Sequence, residues 1–161
     1  MVTRKPATVD DALWALEAGK AVRAFKMLKH HAEAGDMHAC HMLGYLYDTG
    51  EGTRRNRKEA RAWYLRSYEA GNSSSATNIA TMYREAGNSR KEFEWYSRSA
   101  ALGDGDANLE VAIRLLSGKG VRRNLKLAVG QLRAVFKAEN TSQDARDVAR
   151  QLLRGCTAGR V

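Results

Sequence analysis

The sequence predicts an all-α protein: a right-handed α-solenoid (superhelix) of about four stacked antiparallel helix pairs, followed by a C-terminal capping helix. Three observations predict this fold. A motif recurs at intervals of 36 and 32 residues, marked by Gly35, Gly71 and Gly103. Apolar residues recur at helical spacing without a convincing five-residue alternation, and proline is absent after Pro6, so strands are not supported.

Each copy of the motif has two halves that predict two helices. The Trp-Tyr pair at 63–64 recurs at 95–96, and the Gly-x-Gly loop at 50–52 recurs at 118–120. The second copy lacks this loop and has Gly-Asn at 87–88 instead. We interpret the Gly-x-Gly segments as turns that need positive φ, because they follow helices rather than strands and lack the Gly-Lys-Thr or Gly-Lys-Ser sequence of a phosphate loop.

Capping residues delimit the helices. A glycine followed by Asp36, Asn72 or Asp104 is typical of one helix ending and the next beginning. Capping-box spacing adds three further starts, at Thr8 with Asp11, Asn56 with Glu59, and Ser89 with Glu92. Together these signals predict nine helices, at 9–18, 20–34, 37–49, 57–70, 73–86, 89–102, 106–117, 125–139 and 142–154.

One repeat domain is predicted over residues 1–161, since no linker interrupts the pattern. Both ends are atypical, as expected where a repeat has no neighbour to bury against. The parts are a degenerate N-terminal pair at 9–35, repeats at 36–71, 72–103 (shortened) and 104–140, a capping helix at 141–155 and a tail at 156–161.

Composition limits the cellular context. Apolar residues make up 43% and charged residues 28%, which is typical of a soluble globular chain. No run of 18 apolar residues and no N-terminal apolar stretch occur, so neither a membrane span nor a secretory signal is expected. Cys40 and Cys156 form no CxxC motif, which disfavours a disulfide framework and indicates the cytoplasm.

The chain also carries an excess of positive charge. It has 27 Lys and Arg against 18 Asp and Glu, a net charge of +9. Such a balance favours a protein with an acidic surface, a nucleic acid or an anionic lipid as the partner, without choosing among them.

The repeat at 36–71 resembles the Sel-one-like repeat family, a relative of the tetratricopeptide repeat. The residues that carry this resemblance are Ala39, Leu43, Gly44, Leu46, Tyr47, Gly50, Gly52, Ala60, Trp63, Tyr64 and Gly71. The other repeats match less well, since Glu92 occupies the Ala60 position and Gln131-Leu132 replaces Trp-Tyr. The resemblance implies an adaptor or scaffold that binds proteins, or a bacterial immunity protein that neutralises a toxin.

In similar repeat folds the first helix of each repeat lines the concave side. A stripe on these helices, spaced i, i+3, i+4, i+7, is therefore a candidate groove for a peptide or helix of a partner. Alternatively, Met42, Tyr45, Leu109 and Ile113 are core residues between superhelical turns. The stripe consists of His38, His41, Met42, Tyr45, Ser74, Thr77, Asn78, Thr81, Asp106, Leu109, Glu110 and Ile113.

Basic residues cluster at the loops between the helices of a repeat. Stacked repeats would align these loops into a basic edge, which is either a solvated surface or a docking surface for an acidic protein or a phosphate backbone. Nucleic acid is the less favoured partner, because aromatic residues are not interleaved with the basic positions. The basic edge comprises Arg54, Arg55, Arg57, Arg122 and Arg123.

Motifs for metal binding or catalysis are weak. His30, His31, His38 and His41 lie close together, but no second element supplies a convergent tetrahedral set. Asp104-Gly-Asp106 begins like a calcium loop, although leucine occupies the positions that need glycine and glutamate. No GxSxG elbow is present. We therefore expect a non-enzymatic protein without cofactor or metal, which binds another protein.

Overall fold

The computed structural model describes residues 8–157, and this range contains nine α-helices. Apart from one isolated bridge between Asp104 and Asn140, residues 8–157 contain no β-structure, so the all-α prediction is confirmed. The helices are α1 (Val9–Glu17), α2 (Ala21–Glu33), α3 (Met37–Thr49), α4 (Arg57–Glu69), α5 (Ser73–Glu85), α6 (Ser89–Ala101), α7 (Gly105–Ser117), α8 (Leu125–Val135) and α9 (Gln143–Thr157).

The chain divides into two compact units between Asn72 and Ser73. In unit 1, α1 to α4 pack in sequence order, each helix against the next. Unit 2 holds α5 to α9, which also pack consecutively, and α9 additionally contacts α7. Each unit has its own apolar core, centred on Leu28 and Leu43 in unit 1 and on Leu132 and Val135 in unit 2. The single domain over 1–161 and its repeat boundaries stay a prediction.

Most predicted caps form. Thr8 and Asp11 make a reciprocal capping box, and the carboxylate of Asp36 accepts a hydrogen bond of 2.7 Å from the backbone N–H of Ala39. At α6 the prediction of Ser89 was wrong. Asn88 is the N-cap there, because its side chain accepts from the Lys91 N–H while Glu92 is fully buried.

The second glycine of each Gly-x-Gly loop supports the packing of neighbouring helix pairs. Gly52 and Gly120 have φ of +70° and +75°. A Cβ at Gly52 would lie 2.4 Å from the carbonyl oxygen of Ala21, and one at Gly120 would lie 2.1 Å from that of Ser89. These loops therefore rest directly on the first turn of an earlier helix, and glycine is required by both conformation and space.

Helix α8 ends at Val135, four residues before the predicted end. The hydroxyl of Thr141 lies 3.0 Å from the carbonyl oxygen of Val135 and 3.2 Å from that of Ala138. Gly105 N–H donates to the Asn140 carbonyl at 2.8 Å. The chain after α8 thus turns back to the start of α7, and this turn positions α9.

The two repeated tryptophans are buried. Trp63 is 8% exposed and Trp95 is 9% exposed. Each ring is covered by an arginine one turn later, with Arg66 at 4.5 Å and Arg98 at 4.3 Å from the ring centroid. Cation–π contacts of this kind stabilise the helix surface while the apolar rings fill the core.

Candidate functional site

A concavity in unit 2 lies between α5, α7 and α9. Its volume is about 370 Å³. We call it the α5–α7–α9 groove. Thr77, Thr81 and Arg84 of α5, Tyr96 of α6, Asp106, Ala107, Leu109 and Glu110 of α7, and Ser142, Asp144, Ala145 and Val148 at α9 form its lining.

A buried polar network fixes one wall of the groove. Asp104, the N-cap of α7, accepts from Ala107 N–H at 3.0 Å through one carboxylate oxygen. Its other oxygen lies 3.0 Å from the Ser99 hydroxyl and 3.2 Å from the Thr77 hydroxyl. One carboxylate therefore ties α5, α6 and α7 together and positions the Thr77 hydroxyl of α5 on the groove lining.

The opposite wall is fixed by a second carboxylate. Asp106 accepts hydrogen bonds from both the backbone N–H and the hydroxyl of Ser142, at 2.8 and 3.0 Å. The Ser142 hydroxyl in turn accepts from the N–H of Ala145 in the first turn of α9. These bonds hold the N-terminus of α9 against α7, which is how Asp144 and Val148 come to line the groove.

A buried ion pair lies behind the groove. Arg114 is 5% exposed and pairs with Glu92, which has no exposed surface, and with Glu110 on the groove lining. Burial opposes the charge of Arg114, but its hydrogen bonds to Glu92 and Glu110 outweigh burial and raise the pKa of the guanidinium. The guanidinium also lies 4.6 Å from the ring centroid of Tyr96.

This ion pair replaces apolar residues found at the same repeat positions in unit 1. Counting back from Glu92 and Arg114 through the repeats gives Ala24 and Leu46, both fully buried. The seam between α6 and α7 is therefore charged where the seam between α2 and α3 is apolar. Lys119 adds a further cation, with its Nζ 3.8 Å from Glu92 Oε2.

Unit 1 has a concavity of similar volume, about 370 Å³, between α1 and α3, the α1–α3 groove. Val9, Asp10 and Leu13 form one side, and Asp36 with three residues of the predicted stripe forms the other: His38, His41 and Met42. The ring centroids of His41 and Tyr64 are 5.7 Å apart. Burial, with a smaller contribution from the charge of His38, lowers the pKa of His41.

The structure separates the predicted stripe into groove residues and others. Thr77, Thr81, Asp106, Leu109 and Glu110 all line the α5–α7–α9 groove, although their use by a partner stays a prediction. The remaining four predicted positions, Tyr45, Ser74, Asn78 and Ile113, line neither groove. Tyr45 is 42% exposed and Ile113 is 38% exposed, so these two side chains are not core residues.

Comparison with known proteins gives the family. Residues 38–72, 93–104 and 105–130 match the Sel1 repeat. This chain is a Sel1 repeat protein. The Sel1 repeat protein from Oxalobacter formigenes is 25% identical with a TM-score of 0.76, and the alignment covers 86% of this chain and 58% of that one. No curated protein matches the chain.

Two further solved structures are similar. One is c5321, a protective antigen present in uropathogenic Escherichia coli strains that displays an SLR fold, at 28% identity and a TM-score of 0.66. The alignment covers 80% of this chain and 30% of c5321. The other is cysteine rich protein B of Helicobacter pylori, at 20% identity and a TM-score of 0.56, covering 88% and 97% of the two chains. This last likeness concerns the fold alone.

The Sel1 repeat assignment supports a general class of function. Sel1 repeat proteins generally mediate protein–protein interactions and are typically non-catalytic scaffolds. Because the chain spans 58% and 30% of the first two relatives, their whole-protein activities do not transfer to it directly. Within residues 8–157, no helix has the length and apolar character needed to cross a membrane.

The basic residues of the Sel1 repeat loops differ in their surroundings. Arg55 Nε donates to the Asp48 carbonyl at 2.6 Å, and Arg57 lies 3.3 Å from the Asp48 carboxylate. Arg54 in unit 1 and Arg122 and Arg123 in unit 2 are exposed, as is Arg55. The alignment of these loops into one basic edge stays a prediction.

Sequence reasoning missed seven of the twelve residues that line the groove in unit 2. The missed residues are Arg84, Tyr96, Ala107, Ser142, Asp144, Ala145 and Val148. Tyr96 is only 3% exposed, although it lines the groove. A signal for α9 was present, since Ala145, Val148 and Ala149 give that helix an apolar stripe. As for metals, the described residues contain no group of three His, Cys, Asp or Glu that could hold an ion.

Proposed function

We propose that this Sel1 repeat protein is a non-enzymatic module that binds a segment of another protein in the α5–α7–α9 groove. The observation that carries the proposal is the convergence of five predicted stripe residues, from α5 and α7, on one cavity of about 370 Å³. The cavity lining combines apolar side chains with hydroxyl and charged groups, which can hold and orient a partner segment.

The rigidity of the groove supports this function. The hydrogen bonds of Asp104 and Asp106 fix its two walls before any partner arrives. Binding to a preformed site loses less conformational entropy than binding that must first order the site. A helix-lined groove of this kind accepts an extended segment or one face of a helix.

The exposed arginines support a second contact with the same partner. Arg54, Arg122 and Arg123 are exposed, and the chain has a net charge of +9. A partner with an acidic surface would therefore associate with it faster than a neutral one. Charge reversal at Arg122 and Arg123 should then lower the association rate and weaken its dependence on salt. Unchanged association kinetics at low salt would leave these residues as solvated surface.

Because Cys40 and Cys156 are free thiols, we place this interaction in the cytoplasm.

Filling the groove tests the proposal. Thr81 lies on the lining, so Thr81→Trp should occupy the cavity and weaken binding of the native partner, recovered by affinity capture, at least ten-fold. Ser74→Trp is the matched control, since Ser74 is exposed on the same helix and does not line the groove. Circular dichroism checks that both variants keep wild-type helicity. Equal affinity of wild type and both variants would place the binding surface elsewhere.

A further inference from the structure

We infer that the occupant of the α5–α7–α9 groove is a basic segment, with Lys or Arg side chains that alternate with apolar ones. This inference rests on the proposed function and adds the chemistry of the partner segment. It follows from the charge of the groove, which is opposite in sign to that of the whole chain.

The groove lining is acidic. Three carboxylates, Asp106, Glu110 and Asp144, face one guanidinium, Arg84. The whole chain, in contrast, carries a net charge of +9. The buried Arg114 pairs with Glu110 but also with the buried Glu92, so these three residues together still carry a net negative charge. The groove is therefore a local region of negative charge on a positively charged protein.

The three carboxylates differ in whether a hydrogen bond or an ion pair holds them in position. Asp106 is held by Ser142 and Glu110 by Arg114, so both are fixed in position. Asp144 is exposed in the first turn of α9. A cationic side chain in the groove would meet two positioned carboxylates and one that is more accessible, an arrangement suited to a guanidinium or ammonium group.

Apolar groups between the carboxylates set the pattern of the segment. Leu109 of α7 is partly buried, and Val148 of α9 is 40% exposed, although both line the same groove. A purely polar segment would leave Val148 in water. A segment that carries leucine or another apolar residue beside its basic residue would cover Val148 and pair with the carboxylates at the same time.

Because salt screens distant charges, the carboxylates of the groove affect a bound segment more than the net charge of the chain does. At physiological ionic strength the Debye length is about 8 Å, so arginines outside the groove interact weakly with a bound segment. At about 0.01 M salt the length grows to about 30 Å, and the net positive charge then repels the same segment from a distance. Non-specific electrostatics on this chain would consequently favour acidic peptides over basic ones.

Three peptides of about 12 residues test the inference. They share one leucine pattern and carry arginine, its neutral isostere citrulline, or glutamate at the remaining positions. Fluorescence anisotropy at physiological salt measures their binding to the full chain. We expect the arginine peptide to bind tightest. Equal or tighter binding of the citrulline or glutamate peptide would overturn the inference.

Two charge-reversal variants locate the binding site. Asp144→Lys and Asp147→Lys change the net charge of the chain equally and lie on the same helix, but Asp147 does not line the groove. We expect Asp144→Lys to weaken binding of the arginine peptide about ten-fold and Asp147→Lys to change it less than two-fold. Equal losses would mean that bulk charge alone governs binding and would overturn the inference. Thermal unfolding checks that both variants fold.

The native partner separates this inference from the proposed function. If Thr81→Trp abolishes partner binding while Asp144→Lys leaves it unchanged, the groove binds the partner but does not select a cation. The charge preference is then wrong and the proposed function stands. If neither substitution affects the partner, the proposed function itself is wrong. Losses with both substitutions support the two together.

Discussion

The ion pair between Glu92 and Arg114 allows a quantitative test of how unit 2 is held together. The same repeat positions in unit 1 hold Ala24 and Leu46, both fully buried. The substitutions Glu92→Ala and Arg114→Leu, singly and together, therefore convert the charged seam between α6 and α7 into the apolar seam found between α2 and α3.

The two single variants should lose different amounts of stability. Arg114→Leu leaves the carboxylate of Glu92, which is 0% exposed, with Lys119 Nζ at 3.8 Å as its remaining ion-pair contact in the described residues. We expect a loss of about 3–5 kcal/mol, the range for a buried charge whose partner is removed. Glu92→Ala should cost less, about 1–3 kcal/mol, because Arg114 keeps Glu110 and the Tyr96 ring.

The double variant should recover most of this loss. A buried ion pair replaced by apolar residues is often neutral in stability, because the desolvation cost of both charges disappears. We expect the double variant to lie within about 1 kcal/mol of wild type, which corresponds to a coupling energy of at least about 3 kcal/mol. Urea unfolding followed by circular dichroism gives the free energies, with the m-value as the check that the transition stays cooperative.

A surface pair on the same helix is the control. Arg90 and Glu94 lie 3.4 Å apart with both side chains largely exposed, so Glu94→Ala should cost at most about 1 kcal/mol. If the double variant is as unstable as the sum of the two single variants, the two charges do not act as a pair. Such an additive result would refute the interpretation that Glu92 and Arg114 stabilise unit 2 as a coupled ion pair.

Two further predictions concern backbone and pH. Gly52→Ala and Gly120→Ala should each destabilise the fold by at least about 1–2 kcal/mol, because φ is positive and the new Cβ meets a carbonyl oxygen. Gly130→Ala in α8, with open space around its Cβ, should instead stabilise it by about 0.5–1 kcal/mol; both effects are measured by urea unfolding. Since burial lowers the pKa of His41, its neutral form favours the folded state, and stability should fall as pH decreases from about 7 through the lowered pKa. His41→Gln should flatten this dependence in thermal unfolding, whereas an unchanged profile, or an equal effect of His30→Gln, would contradict it.

The sequence predicted the secondary structure closely because the relevant signals are local. Glycine at the helix ends and Asp or Asn at the starts mark most boundaries within one or two residues. Two helix ends differ by more: α9 continues to Thr157, three residues past its predicted end, and α8 ends at Val135 because the Thr141 hydroxyl lies close to the Val135 carbonyl. That contact depends on a turn returning to Gly105, and no helix propensity or cap within α8 encodes it.

The candidate site was predicted in part, for a similar reason. Residues on α5 and α7 followed from repeat alignment, since helices at the same repeat position present the same face. The contribution of α9 did not, because its orientation depends on the hydrogen bonds between Asp106 and Ser142. Glu92 was noted as a departure from the family pattern at the Ala60 position and assigned to a capping box, and its partner Arg114 was not noted. Aligning the first helices would have shown that Arg114 also replaces a core residue, Leu46.

The charged seam between α6 and α7 has a consequence for how a chain of similar helix pairs assembles. Near-identical segments can associate in the wrong order during folding, since each offers its neighbours a similar apolar face. If α6 packed against α3, Glu92 would lie beside Leu46 with its negative charge buried and uncompensated, at a cost of several kcal/mol. The Glu92–Arg114 ion pair thus favours the packing of α6 against α7 over its packing against α3. The correct order of helices is therefore the one of lower energy.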